Sequence, residues 1–122
     1  MKVLIISPSE EMVQHLSQPL QERWARTNVV FEPGTRGIEA LERESPDIVI
    51  LDTELPNAFA LLKQIRAFSN VPLIALVDQD ETKEKVRALE EGADHYVTKS
   101  PNGIELASKV NALLRRTLLD RP

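Results

Sequence analysis

Asp47-Ile48-Val49-Ile50-Leu51-Asp52 places four consecutive apolar residues, three of them β-branched, between two carboxylates. Side chains alternate between the faces of a strand, so a run that is apolar at every position must be covered on both sides. Such a run is expected as a central strand of a parallel sheet. Working outward, four further short apolar runs stand at Lys2 to Ile6, Val29 to Glu32, Leu73 to Val77 and Tyr96 to Thr98, and the segments between them have helical spacing. Ser7-Pro8-Ser9-Glu10 offers a hydroxyl cap, after which Met12, Val13, Leu16, Leu20 and Trp24 fall on one helical face, with a kink expected at Pro19. Further helices are predicted near Thr35 to Arg43, Asn57 to Phe68, Gln79 to Glu91 and Asn102 to Leu118, with Gly92 ending the fourth. Five strand–helix units imply a parallel sheet with right-handed crossovers and helices on both faces.

Composition narrows the function classes. With 122 residues, 42% hydrophobic and 28% charged, the chain is expected to form one domain with one core and is neither disordered nor membrane-spanning. Met1-Lys2 leads directly into Val3-Leu4-Ile5-Ile6, which leaves no room for a signal peptide, and the absence of cysteine fits a cytoplasmic setting. A net charge of −4 argues against nucleic-acid binding by this stretch, so DNA would be met only through a domain beyond this chain, and no membrane partner is expected.

Ligands of open α/β sheets bind beyond the carboxyl ends of the strands. Those ends supply Ser7 and Pro8, then Asp52 and Thr53, then Val77 and Asp78, then Lys99. A carboxylate and an ammonium therefore share one crevice.

Asp47 to Asp52 with Leu55-Pro56, and Gly92-Ala93-Asp94-His95-Tyr96-Val97-Thr98-Lys99, together resemble the receiver domain of response regulators. With Lys2 to Ile6 and Val71-Pro72-Leu73-Ile74, the resemblance spans essentially the whole chain. It implies a flavodoxin-like five-stranded sheet of order 2-1-3-4-5 with five helices, a receiver domain over residues 1–118, and the start of a linker at 119–122. It also implies that Asp52 is the phosphoacceptor position, that Lys99 is the paired lysine and that Tyr96 is the switch aromatic.

Several positions depart from the family pattern. Ser7 and Pro8 stand where a pair of acids would hold Mg²⁺, and Val77 stands where a hydroxyl would bind the phosphoryl group. Ser100 intervenes between Lys99 and Pro101, and Asn57-Ala58-Phe59-Ala60 replaces a small glycine-containing loop. Asp52 and Lys99 are therefore read as a nearly neutral structural ion pair. No cofactor is expected, because Mg²⁺ would need Glu54 or Asp78 to rebuild its site. Ser7 and Ser9 are read as helix caps, and Trp24 and Phe31 as packing aromatics. His15 and His95 lack ligand partners at suitable spacing, and Arg115 and Arg116 complement a helix end.

Lys85, Asp94, Glu105 and Lys109 resemble the charged set through which OmpR/PhoB-type regulators dimerise by their fourth helix, fifth strand and fifth helix, with His95 and Asn111 as departures. The sequence is thus read as an atypical, non-enzymatic receiver domain of a transcription regulator, signalling by protein contacts, including a homodimer. The alternatives are a phosphoacceptor modified at Asp52 by a histidine kinase, and a stand-alone docking module.

Overall fold

A computed structural model describes residues 1–23, 26–34, 36–78, 81–99 and 104–119. Five strands alternate with five helices: β1 (Lys2–Ile6), α1 (Glu10–Arg23), β2 (Asn28–Glu32), α2 (Gly37–Glu44), β3 (Ile48–Asp52), α3 (Ala58–Phe68), β4 (Leu73–Val77), α4 (Thr82–Glu90), β5 (His95–Thr98) and α5 (Ile104–Leu119). The strands are parallel in the order β2-β1-β3-β4-β5, the flavodoxin-like arrangement that the sequence implies.

The core follows from the alternation of strand side chains. Leu4, Ile6, Val49, Leu51, Leu73, Ala75 and Val77 face α2, α3 and α4, where Leu41, Leu62, Ile65 and Ala88 meet them. Val3, Ile5, Ile48, Ile50, Ile74 and Leu76 face α1 and α5 and pack on Leu16, Leu20, Leu106 and Val110. All five residues of β3 and of β4 are buried, as their continuous apolar runs require.

Local chemistry sets the helix ends. Ser9 Oγ accepts the Met12 amide at 3.2 Å, capping α1, which then continues through Pro19 to Arg23. After α4, Gly92 takes φ +120°, and an added Cβ would lie 2.5 Å from Cγ of Arg66. The expected starts of three helices at Thr35, Gln79 and Asn102, the packing role of Trp24, the Ser100-Pro101 turn and most of the linker lie outside the described residues. Among the described residues no helix is long and apolar enough to cross a membrane.

Candidate functional site

β1 and β3 are neighbours in the sheet, with Ile6 paired to Leu51, so the residues that follow them emerge side by side. Asp52 is fully buried, and hydrogen bonds reach both oxygens of its carboxylate. Oδ2 accepts the Ser7 hydroxyl at 2.8 Å, and Oδ1 accepts the Glu54 amide at 2.9 Å. Lys99, carried in by the end of β5, places Nζ 2.9 Å from Asp52 Oδ1, 2.9 Å from Glu54 Oε1 and 3.9 Å from Asp78 Oδ1. The ammonium is therefore a compact charge held close to two carboxylates at once. Burial draws its pKa down, but Asp52 and Glu54 more than offset this and hold the ammonium above the ordinary 10.5.

One expectation is corrected here. Ser7 is not a helix cap. It extends β1, donates its backbone N–H to Glu32 O at 3.0 Å and points its buried side chain at Asp52, while its Oγ also accepts the Ser9 amide at 3.1 Å. The capping role falls to Ser9 alone. The Asp52–Lys99 pair forms as expected, but it does not stand alone: Lys99 also reaches Glu54 and Asp78, so among the described residues the crevice sets one cation against three acids.

The remaining crevice positions divide by exposure. Pro8 is exposed and Val77 is buried in the core against the α3 and α4 face. Ala58 opens α3, and Phe59 packs beneath the Arg87 guanidinium at 4.3 Å from its ring centre, joining α3 to α4.

Tyr96 is half-buried on β5 between two lysines, with Lys85 Nζ 5.8 Å and Lys109 Nζ 5.2 Å from its ring centre. Lys109 also donates to the Tyr96 carbonyl at 2.9 Å. Glu105 is exposed in the first turn of α5. Asp94 is engaged within the domain: its Oδ2 takes Arg66 Nη2 at 2.9 Å and the Leu73 amide at 2.9 Å.

The carboxylate that ends β3 meets the lysine after β5, an aromatic stands on β5 itself, and residues 3–111 match the response regulator receiver domain family. This chain is a receiver domain. It is 38% identical over 116 residues to the sensory transduction protein RegX3 of Mycolicibacterium smegmatis, covering 93% of this chain and 50% of that protein. It is 32% identical over 118 residues to the transcriptional activator protein IrlR of Burkholderia pseudomallei, covering 95% and 51%. The receiver domain thus spans about half the length of the curated relatives it matches. Among solved structures, the BeF3-activated N-terminal receiver domain of Klebsiella pneumoniae RstA superposes with a TM-score of 0.84 at 28% identity, covering 94% of this chain and 99% of that one. Membership of this family makes the chain a regulatory domain and not a classical enzyme.

Two residues of this receiver domain have partners that the sequence did not reveal. Thr53 Oγ1 lies 2.9 Å from Leu76 O and 3.3 Å from Glu84 Oε2, two acceptors for its one hydroxyl proton. Arg66 bridges Gly92 O, Val71 O and Asp94. A threonine directly after the strand-end carboxylate was a legible signal for the first. Arg66 looked like an ordinary cation in the last turn of a helix.

Proposed function

We propose that this receiver domain is the regulatory module of an OmpR/PhoB-type transcription regulator, acting through protein contacts with an atypical crevice that does not run the ordinary phosphorylation cycle. The observation that carries this reading is the engagement of Asp52, whose oxygens are met by Ser7, the Glu54 amide and Lys99. Mg²⁺ prefers an octahedral shell of hard oxygen ligands. The residue that follows β1, beside Asp52, donates a hydroxyl to that carboxylate, the next is an exposed proline, and Glu54 and Asp78 lie within reach of an ammonium. This donor set does not suit the ion. Val77 in turn offers no hydroxyl to a phosphoryl group.

The transcriptional reading is supported by relatives such as IrlR, which is named as a transcriptional activator and extends to about twice the matched length. DNA contact would then belong to a further domain, in a protein working in the cytoplasm beside a histidine kinase. Lys85, Glu105 and Lys109 belong to α4 and α5, helices that also expose Val86, Leu89 and Ile104. Charged and exposed apolar residues on these helices support a phosphate-independent homodimer through α4, β5 and α5.

Incubation with a small-molecule phosphodonor and Mg²⁺, followed by intact mass measurement, tests the crevice reading. No adduct is expected. An adduct that disappears in Asp52→Asn would establish a phosphoacceptor. For the face, sedimentation should show self-association weakened by Lys85→Glu, and identical monomers for both proteins would reject the dimer.

A further inference from the structure

Val77 gives the crevice no hydroxyl at the end of β4, yet one stands on the neighbouring strand end. Thr53 Oγ1 lies within reach of both Leu76 O and Glu84 Oε2. These acceptors differ in how much they need it. Leu76 O already accepts the Thr53 backbone N–H at 3.0 Å, so it stays satisfied without the hydroxyl. Glu84 belongs to the first turn of α4, and the sequence separation of 31 makes this contact a crosslink from crevice to helix.

The crosslink matters because α4 is thinly held. Ala88 is the residue this helix buries, while Val86 and Leu89 remain about half exposed, at 50% and 45%. An element with little buried apolar surface depends more on each polar tie. On the crevice side, the Glu54 amide is drawn onto Asp52 Oδ1, so Thr53 sits between two groups bound to the same carboxylate turn. On the helix side, the next residue, Lys85, stands over the Tyr96 ring.

We infer that Thr53 is a positioning residue: its hydroxyl ties Glu84, and with it the first turns of α4, to the backbone that carries Asp52. The state of the crevice thereby sets the position of the α4 surface. The importance of that surface rests on the proposed function, but the tie itself is read directly from Thr53 and Glu84.

Amide hydrogen exchange and backbone chemical shifts of the 122-residue chain test the tie. Thr53→Val keeps the side-chain shape without the hydroxyl, and exchange across Thr82–Glu90 should rise about tenfold, the loss expected for one hydrogen bond to a charged group. Thr53→Ser should restore it, with amides of β1 and β3 unchanged throughout. In the parent chain, Asp52→Asn should shift the amide resonances of Glu84 and Lys85, and that response should vanish in the Thr53→Val background. Unchanged α4 exchange, acceleration spread evenly over the sheet, or an equal response to Asp52→Asn in both backgrounds would overturn the inference. If Thr53→Val does not fold, Glu84→Ala is read by the same criteria. Sedimentation of these variants separates the two proposals, since a monomeric parent with the exchange pattern intact removes the dimer and leaves the tie standing.

Discussion

Ser7 spends its hydroxyl proton on Asp52 Oδ2 across a 2.8 Å contact, in a site where both residues are fully buried. The serine thereby stabilises the charge that a neighbouring acid would repel. Ser7→Ala removes this bond and the Ser9 amide's acceptor together, so it should lower unfolding free energy by about 1.5–3 kcal/mol, the range for hydrogen bonds to charged groups. Urea denaturation measures it. A loss below about half a kcal/mol would mean that Asp52 does not depend on the hydroxyl.

Replacing the same position by an acid inverts the electrostatics. Ser7→Asp combined with Pro8→Asp sets new carboxylates against Asp52, where like charges repel and call for a divalent cation. The double variant should melt lower than the parent without metal and recover with millimolar Mg²⁺, by linkage of binding to folding. The parent's melting temperature should not respond. A parent stabilised by Mg²⁺ to the same degree would contradict the donor-set argument.

Lys99 is the cation against which Asp52 is buried, with side-chain exposures of 13% and 0%. Lys99→Met leaves that carboxylate without a counter-charge and should cost about 2–4 kcal/mol, somewhat less than the usual ~3–5 kcal/mol because the Glu54 side is solvated. Asp52→Asn should cost less, since Lys99 keeps Glu54. Chemical denaturation of both variants and of their combination gives the coupling directly, and a coupling near zero would show that the pair contributes no net stability.

The same lysine sets a pH dependence. Its folded pKa is raised above 10.5, so its stabilisation is fully present below that value and is lost as pH rises through the higher folded value. The difference in urea midpoint between the parent and Asp52→Asn, Glu54→Gln, which lacks the partners raising this pKa, should hold steady from neutral pH to about 10 and shrink beyond 10.5. A difference that widens there would reverse the assigned sign.

The fold was legible because burial on both faces leaves a direct trace: Ile48 to Leu51 and Leu73 to Val77 could occupy only the centre of a sheet. Asp52 and Lys99 were legible for a related reason, since strand ends in a parallel sheet converge whatever the loops do. Ser7 was misread because a serine before a helix suits capping, whereas its orientation is set by the pleat of β1 and a partner 45 residues away. Thr53 depends likewise on Glu84, 31 positions on, and Arg66 in part on Gly92 and Asp94, 26 and 28 positions on, which no local pattern reports.

Arg66 and Asp94 offer the sharpest separation of structural from surface roles. The Arg66 guanidinium joins the end of α3 to the turn before β5 through Gly92 O at 2.6 Å, Val71 O at 2.6 Å and Asp94 at 2.9 Å. Asp94 Oδ2 is already shared with the Leu73 amide, so the carboxylate is oriented by partners within the domain. Asp94→Asn should therefore lower stability by about 1–2 kcal/mol and leave self-association unchanged, while Arg66→Met, which strips donors from the carbonyls of Ser69, Val71 and Gly92, should cost about 2–3 kcal/mol. Lys85→Glu should show the opposite pattern, weakening association with little effect on unfolding, as expected for a charge at the rim of an interface. Denaturation and sedimentation on the three variants decide the matter, and a dimer lost in Asp94→Asn at unchanged stability would return Asp94 to the contact face.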